Sequence, residues 1–453
     1  MRSEWPLKTL NEVGVVLIDC VHKTPPAAEE GYPYIAIPQM KEGCIDFDAS
    51  PRLISEKDLA EWTKKAAPQK DDIILSRRCN PGETAYVDGS RKFALGQNLV
   101  LLRPVSDEIF PPFLRWMVRS PCWWEQVGKY LNVGAVFDSL KCADIPRFEL
   151  PVPPVNSQKT IAHILGTLDD KIELNRQMNT TLESMAKALF KSWFVDFDPV
   201  IDNALAAGND IPDALQAKAA KRKALGANRK PLPEGLKQQF PDRFVFTEEM
   251  GWVPEGWEVL ALDEIAHYQN GLALQKFRPE DPEHFLPVVK IAQLRSGVAD
   301  SEEKASPDIK PECIIDDGDV VFSWSGTLLV DIWCGGKAAL NQHLFKVTSE
   351  KYPRWFYYWF TQLHLGEFKR IAADKAVTMG HIKREHLSRA YCSIPDGHLI
   401  KEATYYFDSL MDRAIGTRLE CKSLASARDT LLPKLLSGEV RIPDAEKQLA
   451  EAL

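Results

Sequence analysis

The sequence lacks any long apolar run: no stretch approaches the roughly 20 residues needed to cross a hydrocarbon core. The opening residues, MRSEWPLKTLNEVG, carry Glu4 and no apolar run, so no secretory signal is expected. Paired cysteines are missing too. Nine cysteines (Cys20, Cys44, Cys79, Cys122, Cys142, Cys313, Cys334, Cys392 and Cys421) are scattered, odd in number and never spaced as C-x-x-C. This argues against a zinc ribbon or a disulfide framework and predicts reduced thiols in a cytoplasm. There is no cationic excess, the formal net charge being −8. Nucleic-acid binding would need local basic surface or a partner's charge.

Assembled catalytic motifs are also absent. No G-x-x-x-x-G-K-[ST] occurs; CGGKAAL, from Cys334, lacks the phosphate loop and the hydroxyl. No G-x-G-x-x-G follows a strand pattern. The histidines show no H-E-x-x-H or His-Cys ligand spacing, so no metal site is expected. No Asn/Asp-Pro-Pro-aromatic run, the kind that holds an extruded base for amino methylation, is found; Asn80-Pro81-Gly82 reads as a turn. PDALQAK, Pro212 to Lys218, only faintly resembles a nuclease acid-acid-lysine signature. The expectation is a recognition or scaffold protein rather than an enzyme.

What the sequence does hold is a repeat. Its 453 residues, 45 % apolar and 26 % charged, suit a globular chain of about three units. WPLKTLNEV (from Trp5) matches WEVLALDEI (from Trp257). YPYIAIPQMKEGCID (from Tyr32) matches LPVVKIAQLRSGVAD (from Leu286). DDIILS (from Asp71) matches GDVVFS (from Gly318), and FALGQNLVLL (from Phe93) matches AALNQHLFKV (from Ala338). PVPP at Pro151 matches SIPD at Ser393, and the offsets run 252, 254, 247, 245 and 242 residues. Five matches in one order indicate a duplication whose copies differ by loop insertions. Each copy opens with short β-branched and aromatic runs broken by Gly, Pro, Asn and Asp, which read as strands and turns. A short aromatic helix is expected in each, near Phe113 and Arg354.

A long helix closes each copy. From Ile161 the seam steps by four and three through Leu165, Leu168, Ile172, Asn175, Asn179, Leu182, Ala186, Leu189 and Trp193. That is roughly 50 Å of helix at a rise of about 1.5 Å per residue. Asn156 or Ser157, after Pro151, Pro153 and Pro154, is the expected cap. The second seam runs Ala403, Phe407, Leu410, Ala414, Thr417, Cys421, Leu424, Arg428, Leu431 and Leu435, with Gly438 as its stop. Both turn polar at one middle position, Asn175 and Thr417, as a register-setting seam does. Each seam could pack on its own domain, but two matching seams favour packing on each other. Between the copies lies an Ala-rich basic stretch with Lys218, Lys221, Arg222, Lys223, Arg229 and Lys230, followed by PLPEG. It reads equally as a phosphate-contacting arm or a solvated helix.

The stretch LGTLDDKIELNRQMNTTLESMAKALFKSWFVDFDPV, Leu165 to Val200, closely resembles the central helix of the specificity subunits of type I restriction-modification enzymes. FPDRFVFTEEMGWVPEGWEV, Phe240 to Val259, is similar to the lead into their second recognition domain. The resemblance covers the chain as domain, helix, domain, helix. It implies an α+β fold class: two similar mixed α/β target-recognition domains separated by two long antiparallel helices, a coiled coil, in a pseudo-two-fold internal repeat. The expected divisions are 1–154 and 251–396 for the recognition domains, 155–197 and 397–440 for the helices, 198–250 for a linker with the basic segment, and 441–453 for a tail.

The resemblance further implies double-stranded DNA as ligand, each domain reading half of a split target. It implies two modification subunits docked on the helices, bringing S-adenosylmethionine and adenine-N6 methyl transfer. Two restriction subunits, using ATP and Mg, can join them. The chain itself would catalyse nothing, bind no cofactor and touch no membrane. Half-sites one turn apart lie roughly 34 Å from each other, a separation the helices can hold. In the first domain the candidate DNA-binding residues are Lys23, Arg77, Arg78, Asn80, Arg91 and Lys92. In the second they are Lys276, Arg278, Ser323, Ser325, His381, Lys383 and Arg384. Each could instead be an ordinary solvated side chain. Trp324 could stack on DNA or fill a core; Trp123 and Trp124 read as core or interface. Off the seam, Met178, Met185 and Phe190 could receive the modification subunits or widen the seam. The competing functions are a coiled-coil scaffold and a self-contained methyltransferase or nuclease component.

Overall fold

The computed structural model describes residues 5–134, 136–226, 232–374 and 380–452, with residues 451 and 452 described by backbone alone. The chain divides into two compact units. One is Met1–Glu173 with Lys422–Leu453; the other is Leu174–Cys421. Both boundaries fall inside a long helix, Val155–Phe190 and Gly397–Ser437. No helix of the described residues is long and apolar enough to cross a membrane.

In the first unit a four-stranded antiparallel sheet runs in the order Val15–Asp19, Leu99–Pro104, Ile73–Ser76, Thr84–Tyr86. Ile73–Ser76 is buried at every position, as a central strand covered on both faces requires. A smaller sheet places Tyr32–Ile35 between Arg52–Ile54 and a parallel neighbour, Ala94–Leu95. Leu7–Thr9 pairs with Glu149–Pro151. The second unit repeats the plan. Its main sheet is ordered His267–Asn270, Leu344–Thr348, Val320–Ser323, Leu329–Ile332. Leu286–Val289 pairs in parallel with Ala338–Leu340, and Glu258–Ala261 pairs with Tyr391–Ile394. The registers also repeat. Ser76 faces Leu99 and Ser323 faces Leu344, while Tyr34 faces Ala94 and Val288 faces Ala339. A one-residue slip would turn each strand's buried side chains outward, so matched registers are a demanding form of likeness.

The units differ in their helices. After the main sheet's last strand in sequence the first has two helices, Pro111–Met117 and Pro121–Tyr130, where the second has one of 21 residues, Arg354–Asp374. Trp123 is core, as expected, but Trp124 is 43 % exposed. The second unit's core is aromatic: Trp355 stacks on Phe407 at 4.3 Å, and Phe190 meets Phe360 edge-on at 4.9 Å.

The seams turn inward as the heptads predict. Ile161, Leu165, Leu168, Ile172, Leu424 and Leu431 are buried in the first unit, and Ala186, Phe407 and Thr417 in the second; Leu182, Leu189 and Leu410 are half-buried. Within the second unit the segments run antiparallel, since Asn179 meets Thr417 and Phe190 meets Phe407. Four details depart from expectation. The first helix starts at Val155, so Asn156 and Ser157 lie within its first turn rather than capping it. Buried Gln158 ties that first turn to the segments beside it, accepting from the Phe110 N–H at 2.8 Å and donating to the Glu108 and Pro153 carbonyls. Thr417 donates to Asn179 Oδ1 at 2.5 Å, while the Nδ2 of buried Asn175 has no partner; the polar contact sits one helical turn beyond Asn175. Phe190 belongs to the core, which removes it as a docking residue, while Met185 is exposed.

Within 198–250, expected as a linker, the described residues 198–226 and 232–250 form helices and a strand. Helices Asp198–Ala207 and Gln216–Leu225 bury Val200, Ile201, Ala204, Leu215 and Ala219, and a hairpin pairs Phe244–Thr247 with Gly251–Pro254. Its basic side chains are partly spoken for. Lys218 pairs with Asp196 at 3.0 Å, and Arg222 with Asp198 and Asp202. Arg229 and Lys230 lie outside the described residues.

Candidate nucleic-acid interface

In the first unit the strand Ile73–Ser76 delivers its successors to a braced loop. Arg103 grips buried Asp72 through Nε at 2.7 Å and Nη2 at 2.6 Å, fixing the strand's start. At its end, the Ser76 hydroxyl donates to the Arg78 carbonyl at 3.0 Å. The Gly82 N–H closes the loop on the Ser76 carbonyl at 2.9 Å. Gly82 has φ of +99°, and a Cβ there would lie 2.8 Å from Trp124 and Val127 atoms, so glycine is required. The Arg77 N–H donates to the Asn98 carbonyl at 3.1 Å, and its carbonyl accepts from the Leu140 N–H at 2.9 Å. Arg78 bridges to Ser139. Arg78 and Asn80 are exposed, and Arg77 is half-buried.

The second unit builds the same loop. The Ser323 hydroxyl donates to the Ser325 carbonyl at 3.1 Å. The Trp324 N–H donates to the His343 carbonyl at 3.4 Å, and the Trp324 carbonyl accepts from the Ile382 N–H at 3.0 Å. Ser325 bridges to His381. Contact by contact, Trp324 stands for Arg77, Ser325 for Arg78, His343 for Asn98 and His381 for Ser139. Among the described residues, four buried side-chain nitrogens lack a partner: Arg77 Nε, Trp116 Nε1, Asn175 Nδ2 and Trp324 Nε1. Two of the four occupy this one equivalent position. A buried donor without a partner costs about 1–3 kcal/mol, and the two domains carry that cost at the same position.

Two expected residues are not presented to a ligand. Ser323 is 0 % and Ser325 3 % exposed. Their hydroxyls build the loop, Ser325 Oγ lying 3.0 Å from His343 Nδ1. Ser323 ends a fully buried strand and Ser325 lies two residues beyond it, so both brace the loop from within. Sequence reasoning passed over His343, and weighed Trp324 more as core; setting the two repeats against each other at this loop would have raised both.

The other candidates lie on separate turns. Lys23 is exposed on a turn whose carbonyl accepts from Trp62 Nε1 at 2.8 Å, and neighbouring His22 ties that turn to the Gln97 carbonyl at 3.0 Å. Arg91 and Lys92 are exposed beside an open cavity, Arg91 lying over the Phe47 ring at 5.0 Å. Lys276, Arg278, His381 and Lys383 are exposed. The Arg384 guanidinium donates to the Tyr268 carbonyl at 3.0 Å and covers the Phe345 ring at 5.5 Å, so it serves the sheet.

Asp19, Cys20 and His22 hold ligand-type atoms within 4.8 Å of one another. The fit to a metal is poor. Both His22 nitrogens contact oxygen, on Asp19 and Gln97. The Cys20 thiol donates to the Gly96 carbonyl, and burial, helped by Asp19, pushes its pKa up to about 11. A protonated thiol is a weak ligand.

Residues 2–184 and 254–402 match the type I restriction modification DNA specificity domain. A HindI specificity subunit from Haemophilus influenzae is 26 % identical over 85 % of this chain and 89 % of its own length. A MjaIX specificity subunit from Methanocaldococcus jannaschii is 23 % identical over 98 % of this chain and 95 % of its own. Among solved structures, the S subunit of a type I restriction-modification system from M. genitalium has a similar fold, with a TM-score of 0.50 at 14 % identity and 96 % coverage of each chain.

Proposed function

This chain belongs to the type I restriction modification DNA specificity family and is a specificity subunit with two recognition domains, and we propose that each domain binds one half of an asymmetric, two-part DNA target. The observation that carries the asymmetry is the repeated loop. One hydrogen-bonded frame carries half-buried Arg77 and exposed Arg78 in one domain, and half-buried Trp324 and buried Ser325 in the other. A guanidinium can pair with two acceptors on a guanine edge; an indole offers one donor and a stacking face. Domains with such different side chains read different bases.

In this reading the chain reacts with nothing. S-adenosylmethionine arrives with two modification subunits and ATP with two restriction subunits, and the paired helices hold the halves of the target at a set spacing. The partners' charge helps to offset a net charge of −8 at the DNA. The test is to express the chain with its modification subunit and map methylated adenines across the host genome. A single two-part target with a fixed gap is expected; methylation by the chain alone, given cofactor, contradicts the proposal. Inserting four residues within Val155–Phe190 is expected to lengthen the accepted gap, and an unchanged gap would show that the helices do not set it.

A further inference from the structure

The first domain leaves one apolar cluster in water that its fold does not need there. Val133 is 83 %, Val136 77 % and Phe137 60 % exposed, and no other five-residue stretch of the described residues exposes three large apolar side chains. Burying such a side chain is worth about 1.5–3 kcal/mol, so a cluster held outward calls for an occupant. The cluster tops a short hairpin with a fixed base. Asn132 and Ser139 exchange both main-chain hydrogen bonds, at 2.9 and 3.0 Å. Within the hairpin, a Cβ on Gly134 would lie 2.3 Å from the Phe137 carbonyl oxygen, so the turn closes only with glycine there.

The base names the occupant. Ser139 bridges to Arg78, and the next residue, Leu140, donates to the Arg77 carbonyl. The hairpin is therefore an extension of the loop that offers Arg77, Arg78 and Asn80, whose cations attract phosphate and whose side chains match base edges. Resting on the DNA-reading function above, we propose that this hairpin enters the major groove and that Val136 and Phe137 pack on a thymine methyl group. That groove is about 12 Å wide, enough to admit a narrow projecting loop, and the thymine C5-methyl is the apolar feature of its floor. Other base edges there present nitrogen and oxygen, which Val and Phe would strip of water with no hydrogen bond in return. The half-buried Asp138 beside the tip agrees, because a carboxylate is repelled by phosphate and accepts a hydrogen bond from a base-edge amino group. In the second domain Ser325–His381 forms the equivalent anchor. The residues that follow the repeat there, 375–379, lie outside the described residues.

The test uses the full chain with its modification subunit and a pool of randomised duplexes. Wild type is expected to select a two-part target. The double variant Val136→Ser, Phe137→Ser is expected to lose preference at one or two thymine positions in one half and to keep the other half intact. On the selected duplex, replacing that thymine by deoxyuridine removes only the methyl and is expected to weaken wild-type binding about fourfold, the worth of one buried methyl group. The same replacement leaves the variant unmoved. If the variant selects the wild-type target with equal affinity, the hairpin does not read DNA and the inference is overturned, while the general function stands. If selection changes but deoxyuridine costs nothing, the methyl contact is overturned. If wild type selects no two-part target, the underlying function fails instead. Both substitutions are at exposed positions, and an unchanged melting profile confirms that the variant folds.

Discussion

The two repeated loops differ where their frames agree. In each domain a serine ends a buried strand and donates to the carbonyl two residues on, from Ser76 to Arg78 and from Ser323 to Ser325. In each, the intervening residue is held by its own N–H and carbonyl, Arg77 by Asn98 and Leu140, and Trp324 by His343 and Ile382. Main-chain bonds are indifferent to the side chain they carry. The frame can therefore exchange a guanidinium for an indole without refolding, and specificity can change while the fold persists. The largest test exchanges a whole frame. Replacing residues 1–154 with those of another family member is expected to change one half of the target completely and leave the other untouched. Selection from randomised duplexes measures it, and affinity for the original target should fall at least about a thousandfold, from specific to non-specific binding. A change in both halves would break the contrast between the domains.

The helix segments of the two units invert each other's electrostatics. In the first unit one carboxylate, Asp169, faces three guanidiniums: Arg428 at 2.6 Å, Arg115 at 3.3 Å and Arg119 at 3.8 Å. Burial and the nearby Arg428 charge hold Arg119 below the usual arginine range. In the second unit one guanidinium, Arg418, bonds both Glu183 and Asp331. Asp169→Asn leaves three crowded cations; Glu183→Gln leaves Arg418 with Asp331. All these groups keep some solvent, so the first loss is discounted from the fully buried range to about 2 kcal/mol, and the second to about 0.5 kcal/mol. Amide exchange reads each locally, over 422–437 for the first and 403–421 for the second. Equal losses would show that the charge balance does not matter.

Much of this was legible before any coordinates. Repeat, strand runs and seams are periodic or duplicated signals, and burial follows period. Less legible was anything set by one side chain. Asn156 and Ser157 are good caps by type, but the helix begins one residue before them, and Gln158 in its first turn reaches back to the loop before Pro111. Ser323 and Ser325 are polar and lie at the end of a strand, which reads as exposed; the Ser325 carbonyl and His343 take up their hydroxyls. The basic stretch looked solvated or DNA-bound because its partners Asp196, Asp198 and Asp202 lie 20 or more residues earlier in sequence. The apolar finger was invisible, since Val and Phe ordinarily signal core.

A narrower substitution sharpens the loop contrast. Arg77→Ala removes a guanidinium whose Nε is buried without a partner. If that group reads a base, binding falls by about 1–3 kcal/mol, the loss concentrates at one base pair of one half-site, and the salt dependence barely moves. A loss uniform across sequences, with a shallower salt slope, would reassign Arg77 to phosphate.

The smallest expected effect is the most telling, because it opposes stability to binding at the matching position. Trp324→Phe deletes the indole N–H and keeps an aromatic ring against Phe345, now 5.8 Å away centroid to centroid. In the free chain that N–H is buried with no acceptor, so its removal relieves a desolvation penalty. The variant should therefore be as stable as wild type or gain about 0.5 kcal/mol, a fraction of the penalty because Phe fills less space. On DNA the sign reverses. If a base or phosphate oxygen supplies the missing acceptor, binding weakens by about 0.5–1 kcal/mol, confined to the second half-site. Stability gained with affinity unchanged would mean that the indole only fills a core, and the equivalence of Trp324 with Arg77 would then be one of backbone alone.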